Sequence, residues 1–319
     1  MMLTRRTTLG MMLALAACTK TASRAPSEGR IAVPGGNVAW RRFGTGGSKT
    51  PLLLIHGGPG LTGNYMEGLD ALGDERPAFI WDQLECGRSD RSNDKTLWTL
   101  ARFVEELDVV RNELAPGPVH VLGHSWGTTL AMEWLVTKRP TDVASVTFLG
   151  PALSTPRWIE DMRELIASLS PASQAAIADA ERTGDFGSPG YQAASGEWMT
   201  AHIVRTLEPG QLESLVGSLE KWNANLEILE YMWGPSDFTV TGTLKSFDRT
   251  GDLHSLTMPV LFSCGEFDEA RPATVREQAA LTPRAEIVVV PGAGHLTMID
   301  APQVLNAAIR DFLSRTAAG

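Results

Sequence analysis

Residues 123–127 read Gly-His-Ser-Trp-Gly, after the short apolar run Pro118-Val119-His120-Val121-Leu122 and before a helix-like stretch from Thr128 to Lys138. A strand, a G-x-S-x-G turn and a helix form a nucleophile elbow, with the serine on a strained turn and its hydroxyl exposed. The flanking glycines are needed because a side chain there would collide with the neighbouring strand or helix. Alone the pattern is weak: a chain this long matches it by chance roughly one or two times in ten. Its setting is what constrains the fold.

Short apolar or β-branched runs alternate along the chain with longer amphipathic ones. Strands are expected at 37–43, 51–55, 78–82, 118–122, 143–149, 259–264 and 285–290, and helices at 97–114, 126–138, 272–281 and 302–314. Runs apolar throughout indicate strands buried on both faces, as in a parallel sheet. The alternation therefore predicts an α/β, doubly wound, mostly parallel central sheet. It breaks once, over residues 151–253. That stretch has helical periodicity and four tryptophans (Trp158, Trp198, Trp222, Trp233) but no convincing strand. It reads as a helical cap inserted between core strands, above the carboxyl edge where α/β proteins bind ligands. The core is then 31–150 and 254–319.

The first 18 residues look like an address. Thr4-Arg5-Arg6-Thr7-Thr8-Leu9 is a twin-arginine pattern, and the apolar run that follows is too short to span a bilayer. It ends in Leu15-Ala16-Ala17-Cys18, which resembles a bacterial lipobox with Cys18 as the lipidated residue. The expectation is Tat export and anchoring as a lipoprotein on the periplasmic face of a membrane, the outer membrane favoured. A soluble periplasmic form is the alternative. Residues 19–30 read as a flexible tether. Removing 1–18 takes Arg5 and Arg6 but no acid, so the formal charge moves from −9 to −11. That balance argues against a nucleic-acid partner. Cys86 and Cys264 would remain, read as two unpaired, partly buried thiols rather than a disulfide.

A serine hydroxyl needs a base to take its proton. In the order serine, acid, histidine, the chain offers Asp268, in the loop Gly265-Glu266-Phe267-Asp268 after one strand. It offers His295, in Pro291-Gly292-Ala293-Gly294-His295 after another. Both are expected at the sheet edge that carries Ser125, with Asp268 fixing the imidazole tautomer. Glu266 and Glu269 are the close rivals for the acid. His124 is expected to point away from the serine, and His120 to belong to the core. An oxyanion hole needs backbone N–H groups. Trp126 supplies one, and the loop His56-Gly57-Gly58-Pro59-Gly60, through Gly58, the other.

With these motifs the chain resembles the proline iminopeptidase family of α/β-hydrolase serine peptidases. The further motifs that carry the likeness are Asp82-Gln83-Leu84-Glu85-Cys86-Gly87-Arg88-Ser89, Gly265-Glu266-Phe267-Asp268-Glu269 and the cap segment Gly234–Gly242. The resemblance implies a serine exopeptidase. It would release an N-terminal residue, proline or another small apolar one, from peptides, or hydrolyse amino-acid amides, through an acyl-enzyme. No metal or other cofactor is implied. It also implies that two carboxylates, Glu269 and Asp237, hold the substrate's ammonium, a cation that needs anionic partners once it loses water. Glu230 and Tyr231 lie near enough in sequence to line the same pocket. Asp82 and Arg88 read as loop scaffolding.

Two other readings stay open. A serine esterase or lactonase would share this core, but a neutral ester would leave Asp237 and Glu269 unpaired. A non-catalytic binding lipoprotein would have no use for an intact Ser125, Asp268 and His295.

Overall fold

Strands apolar along their whole length must be covered on both faces, and the central strands are. The computed structural model describes residues 27–44 and 46–316. Arg5, Arg6, Cys18 and most of the tether lie outside the described residues. Eight strands form one sheet: β1 (Glu28–Val33), β2 (Gly36–Phe43), β3 (Leu52–Ile55), β4 (Ala78–Asp82), β5 (Val119–His124), β6 (Val143–Leu149), β7 (Val260–Gly265) and β8 (Ala285–Val290). Their order is β1-β2-β4-β3-β5-β6-β7-β8. β2 pairs antiparallel with β1 and β4, and the pairings from β4 across to β8 are parallel.

Side chains alternate across this sheet, as the two-residue period of a strand requires. Leu53, Ile55, Val121, Phe148 and Phe262 pack into one core with residues of α1 (Leu100–Leu114) and α2 (Trp126–Lys138). Leu52, Leu54, Leu122, Leu149 and Leu261 pack on the other face. There they meet a 3-10 stretch, Gly63–Asp74, and the C-terminal helix.

Between β6 and β7 the chain leaves the sheet for five helices: α3 (Thr155–Ile166), α4 (Pro171–Thr183), α5 (Pro189–Trp198), α6 (Pro209–Lys221) and α7 (Leu226–Met232). The sequence starts three of them the same way. Ser154, Ser170 and Ser188 each cap with a side-chain oxygen, and a proline sits in the first turn of each helix. A π-helical turn, Met199–Ile203, follows α5. The cap docks on core loops through Asn225, whose N–H donates to Gly60 O at 2.7 Å and whose side-chain Nδ2 donates to Glu85 O at 3.1 Å. The core resumes with α8 (Pro272–Ala280), α9 (Thr297–Asp300) and α10 (Pro302–Thr316). No helix among the described residues is long and apolar enough to cross a membrane.

Three local expectations change. Residues 28–30, read as the end of the tether, begin β1, and Glu28 pairs with Arg41. Only Ile31 of that strand is buried, so an edge strand with little apolar content escaped the pattern. β8, apolar in sequence, is the opposite edge, and Glu286 and Ile287 are exposed. Cys86 and Cys264 are unpaired as expected, but both are wholly rather than partly buried. Burial raises both thiol pKa values well above the ordinary range.

Candidate active site

Ser125 stands between the end of β5 and the first residue of α2, with φ 53° and ψ −125°. A non-glycine residue at positive φ is strained and persists only where its surroundings fix it. Here a β-carbon on Gly123 would lie 2.4 Å from Gly127 O, and one on Gly127 would lie 2.2 Å from Ile55 O. The two glycines are thus required by close approach of backbone, as the elbow pattern predicts.

His295 arrives from the loop after β8. Its Nδ1 lies 2.7 Å from Asp268 Oδ1. A carboxylate only accepts, so Nδ1 carries the proton and Nε2 is left to act. Asp268 is buried and held by main-chain donors: Ala270 N–H at 2.8 Å and Gly265 N–H at 3.2 Å. Gly150, at φ 54°, leaves room for the ring, since a β-carbon there would lie 2.7 Å from His295 Cε1. The cap fixes the loop itself. His295 N–H donates to His202 O at 2.8 Å, and Leu296 N–H to Ile203 O at 2.8 Å. Ser125 and His295 line one cavity of about 190 Å³. His295 Nε2 has no hydrogen-bond partner among the described residues, so the contact with the serine is open, as such contacts often are without substrate.

Two backbone N–H groups belong to residues that share a recess with the serine. Trp126 is the first residue of α2, so its N–H has no carbonyl to bond within the helix. Gly57 N–H is taken by Tyr65 Oη at 2.6 Å, whereas Gly58 N–H has no partner among the described residues. Gly58, Ser125 and Trp126 line a single inner recess. Gln83 ties the two walls together. Its Nε2 donates to His56 O at 3.1 Å, and its Oε1 accepts from Trp126 Nε1 at 2.9 Å.

The carboxylates Glu269 and Asp237 border both the cavity and the recess. Glu269 is buried, with Oε1 3.6 Å from His295 Nε2 and Oε2 accepting from Trp198 Nε1 at 2.9 Å. The Asp237 carbonyl accepts from Trp158 Nε1 at 2.9 Å and from Trp233 Nε1 at 3.4 Å. Burial, reinforced by Asp237, pushes the Glu269 carboxyl well above its ordinary range; burial also raises Asp237. Burial pulls His295 down, but Asp268, Glu269 and Asp237 together outweigh it and lift the imidazole to about 9. Carboxylates crowded without a cation hold protons more tightly. A cation placed between Glu269 and Asp237 would relieve both and lower the imidazole towards its usual value.

Glu230 and Tyr231 do not join the cavity. On α7, Ile228 and Met232 are buried, while Glu230 is exposed and Tyr231 packs its ring against Trp98. Sequence proximity failed there because a helix turns about 100° per residue, which put both on the outer side. His124 does not turn away from the cavity. Its ring lies 4.6 Å from that of His295, centroid to centroid, and its Nε2 donates to His295 O at 3.1 Å. Its Nδ1 is engaged by Tyr65 Oη at 2.8 Å, and burial holds its pKa far below 6.5. It buttresses the loop rather than serving as a base. His120 is buried beside Ser145, Glu266 is exposed and bonds Gly292 N–H, and Asp82 accepts from Arg88 N–H. The residues that escaped the sequence reading are Trp198, Trp158, Tyr65 and Gln83. The cap tryptophans were visible as a cluster, but nothing in their spacing said which carboxylate each would meet.

Residues 50–302 match the α/β hydrolase fold family. A proline iminopeptidase of Heyndrickxia coagulans is 43% identical over 290 residues, covering 90% of this chain and 99% of that protein. One from Levilactobacillus brevis is 37% identical, covering 83% and 88%. The crystal structure of proline iminopeptidase from Mycobacterium smegmatis superposes with a TM-score of 0.81 at 29% identity, covering 91% of this chain and 99% of that one. The chain belongs to the proline iminopeptidase family of α/β hydrolases.

Proposed function

We propose that this family member is a serine exopeptidase that releases an N-terminal proline from peptides, with Ser125, Asp268 and His295 as its triad. The observation that carries the reading is the placement of two carboxylates, Glu269 and Asp237, around the same cavity as Ser125 and His295. A neutral ester would leave both without a cation, so the esterase reading is not favoured.

The chemistry follows from the geometry. The substrate's ammonium lies between Glu269 and Asp237, which sets its carbonyl carbon against Ser125 Oγ. His295 Nε2 takes the serine proton as Oγ attacks, and Asp268 stabilises the imidazolium through Nδ1–H. The oxyanion is met by the Gly58 and Trp126 N–H groups. Collapse expels the leaving amine, which takes the proton from His295. Water then enters by the same route and frees proline from the serine. The test is hydrolysis of a prolyl arylamide together with labelling by a fluorophosphonate. Wild type should show both and Ser125→Ala neither. Labelling retained in Ser125→Ala would overturn the assignment of the nucleophile.

We also propose export and lipid anchoring at Cys18, on the periplasmic face of a bacterial membrane. Support comes from Arg5-Arg6, the short apolar run and Leu15-Ala16-Ala17-Cys18. Cys18→Ser should abolish lipid labelling; wild-type protein found unprocessed in the cytoplasm would contradict the proposal.

A further inference from the structure

The recess and the larger cavity share Gly58, Ser125, Asp237 and Glu269, and they differ in everything else. Beyond these groups the recess, of about 10 Å³, is closed by Trp126, Ala152, Trp158 and Trp233. The cavity instead continues along Leu215, Val216, Leu219 and Trp222 on and after α6, and Leu226 and Leu229 of α7. No described side chain of α6 is buried, and Val216 and Leu226 are 48% and 54% exposed. The apolar face of α6 is therefore turned to the cavity rather than packed into a core. Among the described residues that line the cavity, the charged or titrating side chains are Asp237, Glu269, Tyr65 and two histidines, His124 and His295.

A substrate has one direction in such a site. With its amino end on Glu269 and Asp237 and its carbonyl at Ser125, the part beyond the scissile bond cannot enter the closed recess. It must leave along α6 and α7. We propose that Leu215, Val216, Leu219, Trp222, Leu226 and Leu229 form a subsite for an apolar leaving group, so that the substrates are prolyl peptides or amides with a bulky apolar second residue. The proposal rests on the exopeptidase reading and adds the identity of the second position. Along α6 and α7 the described lining has no lysine or arginine to receive a carboxylate, and the two acids near the serine repel one. A dipeptide with a free carboxyl end is disfavoured against its amide.

The experiment compares kcat/KM for Pro-Leu-NH₂, Pro-Gly-NH₂ and Pro-Leu in wild type, Leu219→Ser and Val216→Ser. Burial of a leucine side chain supports a preference of Pro-Leu-NH₂ over Pro-Gly-NH₂ of about 10-fold to 100-fold in wild type. Pro-Leu should fall about 10-fold or more below its amide. Both variants should narrow the Leu-to-Gly ratio to within about 3-fold; neither site is in the core, and circular dichroism reports whether each folds. Equal rates on the two amides would overturn the subsite alone. A leucine preference untouched by both variants would place the recognition elsewhere and overturn it too. Inactivity on both amides would overturn the exopeptidase reading and the subsite with it.

Discussion

The two sides of the active-site cavity are built by different means. On the sheet side, Ser125 and Asp268 are fixed by main chain a few residues away or one strand over, and the His295 ring is held by Asp268 while its main chain bonds His202 of the cap. Ser125 N–H bonds Leu149 O on the next strand at 3.0 Å, and Asp268 is gripped by Gly265 and Ala270 N–H. Towards the cap, Glu269 on its core loop and Asp237 in the cap are each met by a tryptophan from a distant cap helix. Trp198 reaches Glu269 across 71 residues, and Trp158 reaches Asp237 across 79. A main-chain scaffold changes little with side-chain substitution, whereas a side-chain scaffold is reset by one mutation. On the proposed function, the sheet side holds the chemistry, and the cap side, with its two carboxylates, holds the choice of substrate.

If that division is right, damage to the sheet side should remove every activity alike. His295→Ala should lower kcat by several orders of magnitude on amides and esters, about as much as Ser125→Ala, because members of the unit fail together. Retention of near-normal turnover on either substrate class would break the comparison.

Damage to the cap side should be selective. Trp198→Phe keeps the ring but removes the donor to Glu269 Oε2. A hydrogen bond to a charged group is worth about 1.5–3 kcal/mol, so kcat/KM on free-amino substrates should fall about 10-fold to 100-fold, chiefly through KM. An acyl ester without an amine should be cleaved nearly as before. Equal losses on both would make Trp198 a support of the fold rather than a positioning residue for Glu269.

The smallest effect is a pH shift that joins the two sides. His295 must be neutral to take the serine proton, and its pKa is raised to about 9 by Asp268, Glu269 and Asp237 against the pull of burial. On an ester that brings no cation, kcat/KM should therefore rise with pH towards a limb near 9. Glu269→Gln removes one raising charge, so the limb should move to lower pH. A shift of one unit would increase ester hydrolysis at pH 7 by about 10-fold. A limb at the same pH in both proteins would mean that Glu269 does not act on the imidazole.

The same division explains what the sequence reveals. The core strands, the elbow, and the Asp268 and His295 loops are legible because apolar runs and glycine turns are local features. Gly127 had to be glycine to clear Ile55 O, and the motif states it directly. β1 was not legible, because an edge strand with one buried residue leaves no pattern. Glu230 and Tyr231 were misplaced for a related reason: nearness along a short helix says nothing about which face turns inward. The partners of Glu269 and Asp237 were hidden because Trp198 reaches Glu269 only once the cap lies over the sheet, and Trp158 reaches the Asp237 carbonyl only once distant parts of the cap meet.

The central claim is that Asp237 and Glu269 bind the substrate's ammonium. It is tested most directly by kcat/KM on matched free and N-acetylated prolyl arylamides in wild type, Glu269→Gln and Asp237→Asn, with an ester as control. Removing one partner of a desolvated charge pair costs about 2–5 kcal/mol. Each variant should therefore lose about 30-fold to a few thousand-fold on the free-amino substrate with no comparable loss on the ester, and wild type should cleave the acetylated compound poorly. Equal wild-type activity on free and acetylated substrates, or variants that lose amide and ester hydrolysis alike, would contradict the account.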